Sequence, residues 1–171
     1  MPTRIRTPRT DELERLRDIE WAAGAIFADI GFAEVAADEP ASVATLAGYA
    51  ADGRAWVITE EDDDEPLGYA VVDIVDGLAH LEQLSVLPDH GRRGLGAALL
   101  ERVEHWAAEN GKPAVTLTTF TDVPWNAPFY AKHGYRVMTD AEIGPELDAI
   151  RAHEAEHGLD PELRVCMRKD T

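Results

Sequence analysis

One segment in the middle of the chain constrains the fold more than any other: a strand-like run, a glycine-rich turn and a long helix in direct succession. The turn reads Leu-Pro-Asp-His-Gly-Arg-Arg-Gly-Leu-Gly and occupies residues 87–96. The helix is predicted from about Gly94 to Asn110, where Gly111 ends it. Its apolar residues recur at helical spacing, at Leu95, Leu99, Val103 and Trp106. A strand that leads through a short turn into a helix is typical of a mixed α/β fold.

The other apolar runs extend this prediction to the whole chain. Further strands are predicted at Thr3–Thr7, Ala55–Glu60, Leu67–Ile74, Leu78–Val86, Val115–Thr119, Tyr135–Met138 and Leu163–Met167. Further helices are predicted from Asp11 to about Ala23, with a looser continuation at Gly24–Gly31, and at Ser42–Ala51, Trp125–His133 and Glu146–His157. Asp76-Gly77 between two strands is a strong hairpin signal and indicates an antiparallel meander. With no shift in composition to mark a linker, we expect residues 1–171 to form one α/β (α+β) domain around a mixed central sheet.

The charge balance excludes some classes of function and favours others. The chain carries 16 Lys plus Arg against 33 Asp plus Glu, a formal net charge of −17. Such a surface repels nucleic acid and anionic membranes, whereas it attracts cationic molecules such as amines. An acidic surface is also typical of salt-adapted or highly soluble proteins. The acidic run Glu60–Glu65 is predicted to be a solvated loop tip with nothing to offset its mutual repulsion.

The chain contains a single cysteine, Cys166, so an intrachain disulfide is excluded. Its apolar neighbours Val165 and Met167 favour a small core residue over a nucleophile. No apolar run is long enough to cross a membrane, and the first residues lack the apolar core of a signal peptide. We therefore expect a cytoplasmic protein.

The glycine-rich turn has the chemistry of an anion site. Glycines let the backbone take positive φ and approach a ligand closely, and the N–H groups of a first helical turn attract negative charge. Two well-known phosphate motifs fail here: no Lys-Ser or Lys-Thr follows the glycines, as a P-loop requires, and Leu99 stands where the Rossmann fingerprint requires its last glycine. By itself the turn is weak support for phosphate binding, because glycines also mark ordinary helix starts.

In its context the turn resembles the acetyl-CoA-binding core of the GNAT superfamily of N-acetyltransferases. The family's usual turn, [Gln/Arg]-x-x-Gly-x-[Gly/Ala], is matched at Gly94 and Gly96, with Gly91 in place of the first residue and Arg92 beside it. Phe129-Tyr130-Ala131-Lys132-His133-Gly134-Tyr135 resembles the family's second signature. The resemblance covers roughly Leu67 to Met138.

The resemblance implies a binding site for acetyl-CoA as cosubstrate. The backbone of Leu84, Ser85 and Val86 would pair with the pantetheine arm, and the Val86 N–H would stabilise the oxyanion. The pyrophosphate would lie on the turn, which comprises Gly91, Arg92, Arg93, Gly94, Leu95, Gly96 and Ala97. Asn126 and Phe129 would also contact the cofactor, although helix capping is an equally good interpretation of Asn126.

The same resemblance assigns roles in catalysis. Tyr130 matches the general acid that protonates the CoA sulfur; its alternative is an aromatic that only packs. Glu82 is the favoured base, because a carboxylate in an apolar strand should have a raised pKa. His80, two residues earlier and expected on the same face, is the second candidate. The alternative interpretation of Glu82 and His80 is that both are ordinary polar residues at a sheet edge.

The acceptor is expected to be an amine, either a small cationic molecule or a protein amine. It would lie against the first two helices, where Trp21, Phe27 and Phe32 offer an aromatic wall, although a core role for these rings is the favoured interpretation. A homodimer is compatible with the family, and the helix Glu146–His157 would close the acceptor pocket or build an interface. A non-catalytic domain that binds CoA or a partner is the alternative function.

One competing motif points to zinc. The segment from His153 to His157 satisfies the H-E-x-x-H pattern of metalloproteases, in which two histidines bind zinc and Glu154 would act as base. Few residues follow His157 to supply a third ligand, and the helix is polar and ends at Gly158. A solvated helix is therefore the favoured interpretation, and no metal cofactor is expected.

Overall fold

The computed structural model describes residues 2–32, 35, 39–91 and 93–171. Its strands are β1 (Thr3–Arg6), β2 (Ala55–Glu60), β3 (Asp63–Val75), β4 (Leu78–Val86), β5 (Ala114–Phe120), β6 (Arg136–Val137) and β7 (Arg164–Asp170). Its α-helices include α1 (Leu13–Ala25), α2 (Val43–Ala51), α3 (Leu95–Glu109), α4 (Ala127–Lys132) and α5 (Pro145–Glu156). The strands form a seven-stranded sheet in the order β1-β2-β3-β4-β5-β7-β6.

The sheet is mixed, as the sequence predicts. Strands β1, β2 and β3 pair antiparallel, and β4 pairs parallel to β5 with His80 opposite Thr116. Strand β7 then pairs antiparallel to both β5 and β6. At the predicted hairpin, Asp76 and Gly77 take φ values of 52° and 75°, which a turn of type I′ requires. The predicted fold class is therefore confirmed.

Two compact units are distinguished by their internal contacts. The first contains Met1–Val72 and Glu82–Val103, and the second contains Asp73–Leu81 and Glu104–Thr171. Strands β3 and β4 each contribute to both units, because the boundaries fall inside them. No helix in the described ranges combines the length and the apolar content that a membrane span needs.

The core of the first unit forms where α1 and α2 pack on strands β2 and β3. Leu13, Leu16 and Ile19 of α1 are buried, as their helical spacing predicts. The helix start differs from the prediction, which placed it at Asp11 with Glu14. In the structure Glu12 is the last residue of a short 3-10 turn that leads into α1, and its carboxylate accepts a hydrogen bond of 2.8 Å from the Arg9 N–H.

The acidic run Glu60–Glu65 is largely the solvated tip that the sequence predicts, since Glu61–Glu65 are exposed, but its mutual repulsion is offset by arginines. Strand β3 already begins at Asp63. The Asp64 carboxylate lies 3.0 Å from Arg6 Nε and 2.6 Å from Arg9 Nη1, and these two hydrogen bonds lower its pKa. Arginines from β1 and the segment after it thus offset repulsion within the run, which the local sequence does not reveal.

The second unit has a small core under α5. Leu147 of this helix packs with Val75, Met138 and Cys166, so the prediction that Cys166 is a core residue is confirmed. The first turn of α5 is capped from the β3–β4 hairpin, where Asp76 accepts hydrogen bonds of 3.0 Å from the N–H groups of Glu146 and Leu147. Helix α5 is therefore anchored within this unit at its N-terminus.

Candidate cofactor cradle and catalytic residues

The last residues of β4 pack closely against the preceding strand. Ser85 is buried, and Leu84 and Val86 are half-buried. A Cβ atom at Gly68 of β3 would lie 2.8 Å from the Ser85 carbonyl oxygen and 3.1 Å from Val86 Cγ2. Only glycine fits at this position. Gly68 is not among the residues predicted for the site, although a lone glycine inside an apolar strand indicates close backbone approach.

The glycine-rich turn leads from β4 into α3 through a short 3-10 turn at Pro88–His90. Gly94 has φ = 78°, in the left-handed region that favours glycine. Gly91 has φ = −65°, so the expectation of positive φ applies to Gly94 and not to Gly91. The positive φ of Gly94 turns the chain into the helix.

The start of α3 presents backbone donors. Its first helical hydrogen bond, of 3.0 Å, runs from the Ala98 N–H to the Gly94 carbonyl. The N–H groups of Leu95, Gly96 and Ala97 come before this bond, where a helix leaves donors without intrahelical partners. Gly96 and Ala97 are half-buried and carry little or no side chain. This geometry is that of an anion site.

The turn contains two arginines, and the structure describes one of them. The side chain of Arg93, which the resemblance places at the pyrophosphate, has protein partners: its Nη2 lies 2.9 Å from Glu60 Oε1 and its Nη1 lies 2.8 Å from His90 Nδ1. Arg93 is thus engaged by its own unit. The other predicted residue, Arg92, lies outside the described residues.

The two candidate bases on β4 lie two residues apart but have different environments. Glu82 is exposed, so the burial assumed for its carboxylate is absent. His80 has 2% of its surface exposed, and its Nδ1 lies 3.0 Å from Thr116 Oγ1. Burial lowers the pKa of His80, against the opposing charges of Asp73, Glu154 and Asp76. His80 is therefore an uncharged residue inside the sheet.

Tyr130 lies on α4 in an aromatic cluster. Its ring contacts Phe129 and Tyr135 edge to face, at centroid distances of 5.2 and 5.8 Å. The residue is buried, and burial raises the pKa of its phenol. Tyr135 donates a hydrogen bond to Glu104, whereas the Tyr130 hydroxyl makes none with the part of the chain that the structure describes. The proton of Tyr130 is thus held at neutral pH and not donated to a protein acceptor.

Asn126 precedes α4 but does not cap it through its side chain. Its Oδ1 accepts hydrogen bonds from Thr119 Oγ1 at 2.8 Å and from the Phe120 N–H at 3.3 Å. Side-chain capping, the alternative weighed for Asn126, is therefore wrong. Phe129 is half-buried and its ring lies 4.6 Å from that of His133.

The predicted aromatic wall lies in the first unit, at the end of α1 and just beyond it. Trp21 is 49% exposed, while Phe27 and Phe32 are half-buried and contact each other edge to face at 6.4 Å. A core role was favoured for these rings and is wrong, because none of the three is buried.

The H-E-x-x-H segment on α5 is occupied by structural contacts. Glu154 accepts a hydrogen bond of 2.7 Å from Thr118 Oγ1 and pairs with Arg164 at 3.3 Å. The rings of His153 and His157 lie 4.1 Å apart, and His157 Nδ1 bonds the His153 carbonyl. No group of three metal-ligating side chains occurs among the described residues.

Comparison with known proteins identifies the family of the chain. The model of the Acetyltransferase (GNAT) family matches residues 13–135, a range that contains β4, the glycine-rich turn and Tyr130. The chain belongs to the GNAT family. An uncharacterized N-acetyltransferase of Bacillus subtilis, YjcF, is 35% identical over 92 residues, which are 54% of this chain and 61% of that protein. The match therefore spans less than two thirds of the relative's length.

Solved structures of other GNAT proteins share the fold at low identity. The PaiA N-acetyltransferase from Thermoplasma acidophilum, solved in complex with coenzyme A, has a TM-score of 0.72 at 15% identity, over 100% of both chains. The ribosomal-protein-S18-alanine N-acetyltransferase from Escherichia coli has a TM-score of 0.66 at 19% identity, over 98% of this chain and 93% of that one.

Proposed function

We propose that this GNAT protein transfers the acetyl group of acetyl-CoA to an amine, and that the acceptor is a small cationic molecule. The observation that carries the proposal is the turn at Gly94, which places the backbone donors of Leu95, Gly96 and Ala97 at the start of a long helix. These donors fit a pyrophosphate, because they are main-chain N–H groups at a helix start, and Gly96 and Ala97 are half-buried and carry little or no side chain. The PaiA protein, which shares the fold, was solved with coenzyme A.

In the proposed reaction the acceptor amine attacks the thioester carbonyl. A carbon–nitrogen bond forms, the tetrahedral intermediate collapses, and the carbon–sulfur bond breaks to leave an acetamide and the thiol of CoA. The amine must lose a proton and the sulfur must gain one. The Val86 N–H is proposed to donate to the developing oxyanion, in the role that the family resemblance gives this position.

Glu82 is proposed as the base that receives the amine proton. Its exposure on β4 supports the assignment, because an acceptor from solvent can reach it. His80 is the weaker candidate, since its ring is buried and bonded to Thr116. A base must be able to approach the proton that it removes.

Tyr130 is proposed to donate its proton to the leaving sulfur. Burial keeps its phenol protonated, and the described residues accept no hydrogen bond from it. Leu84, Ser85 and Asn126 remain proposed contacts of the pantetheine arm, and Phe129 of the cofactor. A cationic acceptor is supported by the net charge of −17, which concentrates amines near the surface.

The decisive experiment combines a binding and a turnover measurement on the full chain. CoA should raise the melting temperature, and a free-thiol assay should detect CoA release from acetyl-CoA with at least one member of a panel of small amines. Failure to bind CoA would refute the proposal. Binding without thiol release for any small or peptide amine would instead identify a non-catalytic CoA-binding domain.

A further inference from the structure

The side chain of Arg93 links the glycine-rich turn to the end of strand β2. One terminal nitrogen pairs with Glu60 Oε1 at 2.9 Å, and the other lies 2.8 Å from His90 Nδ1. A guanidinium group only donates hydrogen bonds, so His90 Nδ1 is the acceptor and carries no proton. Arg93 therefore ties the start of the turn to its end and both to a strand.

Glu60 is a fixed point for this link. It is the last residue of β2 and lies opposite Thr3 of β1 and Asp63 of β3. Its side chain is only 19% exposed. The turn that it holds contains Gly91 and Gly94, and glycines lose more conformational freedom on ordering than other residues. A turn fixed before the ligand arrives avoids that loss during binding.

We propose that Glu60 is a positioning residue for cofactor binding, which acts through Arg93 to hold the glycine-rich turn ready for the pyrophosphate. The inference rests on the proposed function, because it takes CoA as the ligand of the turn. It predicts an effect of unexpected sign. Removing a carboxylate near a site for a polyanion should tighten binding by electrostatics alone, whereas the loss of a positioning residue weakens it.

The test measures the dissociation constant of CoA by calorimetry for the wild type and matched variants of the full chain. Glu60→Gln should weaken binding about five- to tenfold, the cost of immobilising one or two side chains during binding. Glu61→Gln is the control, because Glu61 is the exposed next residue and its substitution changes the net charge equally. Its affinity should stay within about twofold of the wild type or become tighter.

Two Arg93 variants separate the link from its charge. Arg93→Lys keeps the charge, but a compact ammonium cannot reproduce the planar fork, so binding should weaken as in Glu60→Gln. In the Arg93→Gln background, Glu60→Gln should cause no further loss of CoA affinity, because the effects of substitutions at two residues of one link are not additive. Melting temperatures measured alongside show whether each variant is folded. Substitution of a residue with a merely structural role would change the melting temperature without changing the CoA affinity.

The possible outcomes are distinct. If Glu60→Gln binds CoA as tightly as Glu61→Gln or more tightly, Glu60 does not position the turn. If Arg93→Gln weakens binding while Glu60→Gln does not, Arg93 acts on the phosphates directly and the inference is overturned. If the wild type itself does not bind CoA, the proposed function fails, and that result is separate from either of the others.

Discussion

Residues 82–97 of the first unit and residues 116–157 of the second both carry polar groups in recognisable patterns, yet they use them differently. In the first region the backbone donors of Leu95, Gly96 and Ala97 at the start of α3 precede its first hydrogen bond. In the second region Thr116, Asn126 and Glu154 are bonded to protein partners. A functional pattern in sequence is thus informative only where the fold leaves its groups available to a ligand.

Tyr130 is the exception in the second region. Its neighbour Tyr135 bonds Glu104 at 3.0 Å, whereas the Tyr130 hydroxyl donates to no residue within the described ranges. A hydroxyl without a protein partner is available to a ligand, which supports the acid role proposed for Tyr130 on α4.

The largest expected effect tests this exception. Tyr130→Phe should lower kcat about 100-fold, in the range for the loss of an acid or base, and leave the KM for acetyl-CoA nearly unchanged. The free-thiol assay measures both. Tyr135→Phe removes a hydroxyl from the adjacent ring and serves as the control. It should reduce the melting temperature but leave kcat within about twofold, since the hydroxyl bonds only protein.

Equal kcat values for Tyr130→Phe and the wild type across the pH range would remove Tyr130 from catalysis. The raised pKa of Tyr130 adds a second requirement. The phenol stays protonated through the neutral and mildly alkaline range, so its ionisation should produce no loss of kcat below about pH 10, the ordinary value for tyrosine.

The next effect sharpens the contrast between exposed and buried groups on one strand. Glu82→Gln should lower kcat/KM at neutral pH at least about tenfold, because the amine then loses its proton without a positioned base. His80→Gln is the matched variant at the buried position and should leave the shape of the pH profile unchanged. If His80→Gln abolishes the acidic limb of kcat/KM and Glu82→Gln does not, the two roles are reversed.

A smaller effect is expected at the turn itself. Gly94→Ala places a Cβ at φ = 78°, which costs roughly 1–2 kcal/mol for a residue other than glycine. The variant should have a lower melting temperature and weaker CoA binding. Gly91→Ala is the comparison variant, because φ = −65° is ordinary for alanine and, of the described residues, its Cβ would meet only the Pro88 carbonyl oxygen, at 3.3 Å. Equal losses in the two variants would show that the left-handed conformation of Gly94 is not what matters.

Local patterns predicted most elements because each depends on its own periodicity. The hairpin at Asp76-Gly77, the bounds of β2 and β4 and the burial of Leu13, Leu16 and Ile19 all follow from neighbouring residues. What the sequence did not reveal depends on partners far along the chain. The contacts Glu60–Arg93 and Asp64–Arg6 require the register of β1 and β2.

The same limit applies to the candidate site. Strand alternation places His80 and Glu82 on one face, but their burial depends on what packs against each of them, and only His80 is buried. The position of Tyr130 followed from the signature, while its environment of Phe129 and Tyr135 required the fold. Chemistry was therefore easier to predict than accessibility.

The smallest expected effect concerns His80, the buried one of the two candidate bases. Burial lowers the pKa of His80, so the folded chain holds it uncharged, whereas the unfolded chain binds a proton below about pH 6.5. His80 therefore favours the folded state above that pH, and this contribution is lost as the pH falls towards the lowered value. Melting temperatures from pH 7.5 to 5 should fall more steeply for the wild type than for His80→Gln. Replacement of the exposed His105 by Gln should follow the wild type; parallel curves for all three proteins would mean that His80 titrates alike in both states.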